Sequence, residues 1–177
     1  MSSKLVKAKL IPIPGEGGEE IEFMFNPNQL AFSRSISLEQ AEGARTEKGA
    51  NKVSFKHPNP YSLNINNILI DTYEAGKSVL DYINKFKKAV EFTDKGEGQT
   101  KRPPIYLFTW GSTNYLRCFV KKLSFKLTLF LPDGTPVRAT VDLDLEQVEL
   151  PTPLKGQGTP ALSQAERQAQ NRQVFLS

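Results

Sequence analysis

The segment Leu123–Leu150 constrains the fold more than any other, because it alternates with period two on both sides of one tight turn. On the first arm Leu123, Phe125, Leu127, Leu129 and Leu131 share one face, and Lys122, Ser124, Lys126 and Thr128 share the other. Beyond the turn, Val137, Ala139, Val141, Leu143 and Leu145 alternate with Arg138, Thr140, Asp142, Asp144 and Glu146. Successive side chains of a strand point to opposite faces, so the pattern specifies two strands, each with one buried face. Pro132, Asp133 and Gly134 form the turn. Proline presets φ, and glycine accepts the positive φ that closes a three-residue hairpin loop.

Loop length fixes the register. A three-residue loop sets Phe125 opposite Val141 and Leu123 opposite Leu143, with Lys122 opposite Asp144 and Ser124 opposite Asp142. A two-residue Asp133-Gly134 loop would set Phe125 against Asp142 and mix the faces. A slip of one residue exchanges the buried and the exposed set, so the pattern selects the longer loop. The polar face then carries lysines on one strand and carboxylates on its neighbour, each pair worth a few tenths of a kcal/mol.

The rest of the chain reads as further strands around one helix. Leu5–Ile13 and Glu20–Phe25 form a hairpin across the Pro14–Gly18 turn, and Asn26-Pro27 stops the second strand. Gln29–Leu38, Lys52–Phe55, Tyr61–Ile70, Ile105–Trp110, Tyr115–Leu131 and Pro136–Leu150 are further strands, and the polar stretch Glu39–Asn51 reads as a long mobile loop. Ser78–Phe92 carries Val79, Ile83, Phe86 and Val90 at helical spacing, with its lysines outside the stripe. The total is seven or eight strands and one helix. The expected fold class is mainly β (β-rich α+β), a β-barrel or two-sheet sandwich with one packed α-helix.

From Pro151 the composition changes. Pro151, Pro153, Gly156, Gly158 and Pro160 make a linker, and Ser163 with Glu166 forms a capping box that opens a short polar helix, Gln164–Gln173. Val174, Phe175 and Leu176 follow as three apolar residues, read either as a frayed tail or as a docking peptide that orders on a partner. The expected organisation is a folded domain over 1–150 and a linker with a helical tail over 151–177.

Little in the chain suits catalysis. Its one histidine, His57, sits beside Pro58 with no serine or cysteine to activate by local logic. Its one cysteine, Cys118, excludes an internal disulfide and a cysteine metal cluster, and reads as a buried structural thiol. Asp142, Asp144 and Glu146 project together, but successive same-face residues lie about 6.5–7 Å apart, so pairing with Lys122 and its neighbours, or solvation, fits better than a metal. Neither Gly15-Glu16-Gly17-Gly18 nor Gly96-Glu97-Gly98-Gln99 has the Lys-Ser/Thr of a phosphate loop. No enzyme activity, cofactor or metal is expected. A net charge of +4 does not demand nucleic acid. Tyr115, Arg117 and Phe119 combine aromatic and basic character, but continue the apolar stripe of Leu123–Leu131 and are expected in the core. Met1–Ile13 is broken by Lys4, Lys7 and Lys9 and makes no signal peptide, and no apolar run approaches the ~20 residues that span a bilayer. Cytoplasmic folding without membrane insertion is expected.

Four motifs, in order, carry a family resemblance: Phe23-Met24-Phe25-Asn26-Pro27, Leu69–Gly76 before the helix, Pro103-Pro104 to Phe108-Thr109-Trp110-Gly111, and Phe130–Val141. Over about residues 5–150 the chain resembles the N-terminal domain of contractile injection system tube-associated proteins, components of phage-tail-like particles. The resemblance implies a phage tail-tube-like β-barrel with one helix, assembled as a homo-hexameric ring that connects the hub or spike to the inner tube. Within that frame Lys122, Ser124, Lys126, Asp142, Asp144 and Glu146 would form an assembly or lumen face, and loops such as Glu39–Asn51 would stack one ring on the next. Longer relatives carry a LysM domain at this point, so cell-wall binding is not carried over. A repeating inner-tube subunit, and a stand-alone barrel that binds oligonucleotide or oligosaccharide, are the alternative readings.

Overall fold

The hairpin that dominates the sequence dominates the structure, a computed structural model that describes residues 4–45, 51–93 and 101–149. In chain order the strands are β1 (Ala8–Pro12), β2 (Ile21–Glu22), β3 (Ala31–Ser33), β4 (Ile36–Arg45), β5 (Asn51–Pro58), β6 (Ser62–Asp71), β7 (Tyr106–Trp110), β8 (Thr113–Phe130) and β9 (Pro136–Gln147), with helix α1 (Leu80–Val90) between β6 and β7. β8 and β9 pair in the expected register, Phe125 opposite Val141, Leu123 opposite Leu143, Lys122 opposite Asp144 and Ser124 opposite Asp142. The loop is the three-residue one. Leu131 N donates to Thr135 O at 2.8 Å, Gly134 N donates to Leu131 O at 2.8 Å, and Gly134 has φ +87°. Asp133 Oδ1 accepts from Thr135 N at 2.9 Å, which holds the Asp133 carboxyl below the usual range.

Seven strands form one antiparallel sheet in the order β2-β1-β7-β8-β9-β6-β3, curled into a half-barrel. β9 lies between β8 and β6 and alternates without a break: Val137, Ala139, Val141, Leu143 and Leu145 are all buried, with a half-buried residue between each pair. β6 brings Leu63, Ile65, Ile68 and Ile70 to the same core, and β1 and β7 add Ala8, Leu10, Tyr106 and Phe108. α1 closes it with Ile83, Phe86 and Ala89, and Phe23 sits between Phe86 and Phe108 at ring distances of 6.1 and 6.0 Å. Asn26 has a structural role that the motif alone did not reveal. Its side chain accepts from Ala8 N at 2.9 Å and donates to Val6 O at 2.8 Å, continuing the sheet edge where β2 has ended.

Three expectations are corrected. Glu39–Arg45 is strand, not loop: β4 pairs with β5 as a separate two-stranded sheet. Where the hairpin's apolar side chains are described they cover no core: Ile36, Leu38 and Phe55 are all exposed. This hairpin, and the division of Gln29–Leu38 between β3 and β4, raise the count to nine strands among the described residues. The third correction concerns β8. Leu116, Cys118 and Val120 point into the core, Arg117 is exposed and Phe119 is half-buried. The ladder shifts between Val120 and Lys122, and the extra residue moves the inward face from even to odd numbers, so that Leu123 and Leu127 face the core beyond it. A second shift at Phe108/Thr109 leaves Tyr115 at a bulge, its ring 5.8 Å from Phe108 and 6.1 Å from Phe32.

Two substitutions test the fold. A Cβ on Gly134 would meet nothing within 4 Å, so Gly134→Val isolates the cost of positive φ for a branched side chain. We expect a loss of about 1–2 kcal/mol, a melting temperature lower by several degrees, and a smaller loss for Gly134→Asn. An unchanged melt would place the turn elsewhere. Tyr106 is fully buried, its hydroxyl has no hydrogen-bond partner among the described residues, and burial pushes the phenol up to about 12. Tyr106→Phe removes the orphaned hydroxyl at constant shape, so thermal denaturation is expected to show equal or higher stability.

Candidate assembly surfaces

The polar face of the β8–β9 hairpin lies on the outer side of the sheet. Lys122, Ser124 and Lys126 stand opposite Asp144, Asp142 and Thr140. β6 extends the surface on the other side of β9, with Asn64 opposite Asp144 and Ser62 opposite Glu146. The six residues singled out from the sequence therefore share one surface, but they do not all pair as simple neighbours. Asp142 Oδ1 accepts from Asn67 N at 2.7 Å. Asn67 has φ +58° at the irregularity between Ile65 and Ile68, so Asp142 fastens a break in the β6 ladder. Glu146 pairs with Lys121 at 2.5 Å, a bond that raises the lysine pKa above its ordinary value.

Lys121 is the residue that sequence reasoning missed. It is the extra residue of the β8 bulge, and without it Glu146 would face only Phe119. The signal was the doublet Lys121-Lys122: in a strictly alternating half-buried strand one of two consecutive lysines must point inward, so a doublet there requires a bulge or a charge in the core. With Lys121 included, three lysines face three carboxylates, and the surface is hydrophilic and charge-balanced.

Two further features leave backbone or apolar surface uncovered. β7 pairs with β8 only from Thr113 to Cys118, so from Phe119 to Phe130 β8 is paired on the β9 side alone among the described residues. Such an edge is a template for another strand, and its lysines oppose indiscriminate pairing. The β4–β5 hairpin places Leu38 opposite Phe55, 58% and 77% exposed. A two-stranded sheet with no core beneath it is marginally stable in water, so this hairpin calls for a partner surface. Val174, Phe175 and Leu176 lie outside the described residues.

The reactive side chains do not converge. His57 is exposed on β5 opposite Ser37, and Cys118 is buried, with burial pushing its thiol up to about 12. Among the described residues no group of three or more His, Cys, Asp or Glu could hold a metal ion, and no helix is long and apolar enough to cross a membrane.

One ion pair ties the β6–turn–helix junction to the central hairpin. Asp71 Oδ1 accepts from Tyr73 N at 2.9 Å, capping the turn, and Asp71 Oδ2 accepts from Arg138 Nε at 2.8 Å. The backbone bond first, and the arginine second, hold the Asp71 carboxyl below the ordinary range. A depressed folded-state pKa gives stability that is present above the unfolded value, ~3.9, and lost as pH falls through the folded one. Asp71→Asn is therefore expected to lower the melting temperature at pH 7, and the difference from wild type should shrink steadily below about pH 4. Melts across that range check it; a difference independent of pH would remove the carboxylate from the account.

The geometry is that of a β-structure with open edges and a wetted charged face, with no converging reactive groups among the described residues, and the comparisons agree with it. The model of a family described as contractile injection system tube protein matches residues 4–153, which takes in every strand and the helix. No curated protein matches the chain. The chain belongs to the contractile injection system tube protein family.

Proposed function

We propose that this protein forms the tube-initiating ring of a contractile injection system, a homo-hexamer between the hub or spike and the inner tube. The observation that carries the reading is the incomplete sheet. A half-barrel with a twelve-residue stretch of β8 paired on one side satisfies its backbone when a second copy lies alongside. The charge-balanced face of Lys121, Lys122 and Lys126 against Asp142, Asp144 and Glu146 suits a wall past which cargo slides without adhering. The β4–β5 hairpin takes over the stacking role assigned to Glu39–Asn51, with Leu38 and Phe55 reaching the adjoining ring. The role is structural: no catalysis, cofactor or nucleic acid enters it, and assembly takes place in the cytoplasm.

The initiator is favoured over the repeating inner-tube subunit by the residues that follow the matched stretch. A subunit that repeats along a tube has less use for an appendage of this kind than a ring that occurs once. Residues 1–150 are the ring-forming domain and 151–177 the appendage.

Mass photometry and negative-stain imaging of the protein, alone and mixed with its baseplate neighbours, test the ring. Six-fold rings one subunit thick, or one such ring per particle at the hub end, are expected. Extended tubes of this protein alone would make it the repeating subunit, and a monomer that joins no particle would overturn both. Truncation after Leu150 is expected to leave a folded domain with a melting temperature lower by no more than a few degrees, and a collapsed melt would show that the folded domain extends into the appendage.

A further inference from the structure

A groove of about 510 Å³ lies at the end of the half-barrel where β6 passes into α1. Met24, Phe25, Tyr73 and Tyr82 line it, the Asp71–Arg138 ion pair forms part of its wall, and Glu74 stands on its rim. Phe25, Tyr73 and Tyr82 are 46%, 54% and 39% exposed. The surface continues past Met24 and Tyr82 into a second hollow that also holds Lys7, whose Nζ lies 5.7 Å from the Phe25 ring. Three half-exposed aromatic rings and a methionine make an adaptable apolar receptor for a hydrophobic anchor.

We propose that this groove is the docking site of the chain's own Val174-Phe175-Leu176 segment. Three arguments select that occupant. First, an aromatic residue flanked by two aliphatic ones is the apolar cluster of residues 151–177, and it matches the aromatic and thioether lining. Second, Arg172 precedes the cluster by two residues and complements Glu74 at the rim. Third, the lengths agree. The last described residues of β9 lie nine residues of strand from Arg138, about 30 Å. A coil the length of residues 150–163 has a root-mean-square span of about 20 Å, and the helix expected from the sequence over Gln164–Gln173 would add about 15 Å. A tether whose mean span matches the separation gives the highest effective concentration of its end at the site. The docking is intramolecular and requires no other particle component.

The test uses the full chain with Ala75→Cys, exposed beside the groove, and Ser177→Cys; neither is among the residues argued to make the contacts. The native Cys118 is buried and does not compete. Mild oxidation is expected to give an intramolecular disulfide, seen as a faster-migrating monomer, and Phe175→Asp in the same background should slow its formation at least tenfold. Cross-linking unaffected by Phe175→Asp would mean random encounter, and predominantly intermolecular disulfides would mean that another copy's segment fills the groove; either overturns the proposal. A second readout avoids cysteine. With 3-fluorotyrosine in the full chain, the fluorine resonances of Tyr73 and Tyr82 should move on Phe175→Asp, and an unchanged spectrum would leave the groove empty of this segment.

Discussion

Everything in this fold depends on the burial of one face of β9. Val137, Ala139, Val141, Leu143 and Leu145 are 0–1% exposed, and each such side chain contributes about 1.5–3 kcal/mol when removed from water, less for alanine. That face can be buried only if β8 and β6 pair along both edges of the strand, and both do so over most of its length. The helix and the outer strands then have a surface to close. The opposite face of the same strand carries Asp142, Asp144 and Glu146, so the alternation that builds the core also builds the wetted wall. Core and candidate surface are two sides of one sequence pattern, and a register slip would destroy both.

The hairpin register, the turn and the helix stripe were legible in the sequence because each follows from local periodicity and one special residue. Gly134 had to take a positive φ, and Val79, Ile83 and Phe86 had to share a face. What was not legible has a common cause. Bulges add one residue and reverse the parity of everything beyond them, so Tyr115, Arg117 and Phe119 were assigned the face that Leu116, Cys118 and Val120 occupy. Glu39–Arg45 escaped for another reason: its sequence is polar and without an apolar period, so nothing local announced its pairing with β5. Of the candidate surface, the six charged and polar residues were found together, while the pairing of Glu146 with Lys121 and of Asp142 with Asn67 came only from the bulges in β8 and β6.

The same irregularities connect the fold to assembly. β8 is 18 residues long, three times the usual strand, and β7 accompanies only its first third. A monomer that kept such an edge for its own sake would risk promiscuous pairing. Lys121, Lys122 and Lys126 put charge along that stretch and so oppose indiscriminate pairing. The β4–β5 hairpin follows the same logic: Leu38 and Phe55 stand opposite one another and exposed, and in the proposed ring they meet the adjoining copy. Membership of a tube family and an unfinished sheet both fit the proposed role, in which neighbouring copies complete the fold.

Backbone amide exchange tests that claim most directly, measured on the isolated protein and on the assembled particle. The outward amides of β8 between Phe119 and Phe130, and those of the β4–β5 hairpin, should exchange quickly in the isolated chain and at least tenfold more slowly in the assembly. The amides of β9 from Val137 to Leu145 should be protected equally in both. Equal exchange of the β8 edge and the hairpin in the two states would contradict the account, because it would mean that the surfaces left open by the fold are not the ones on which the tube is built.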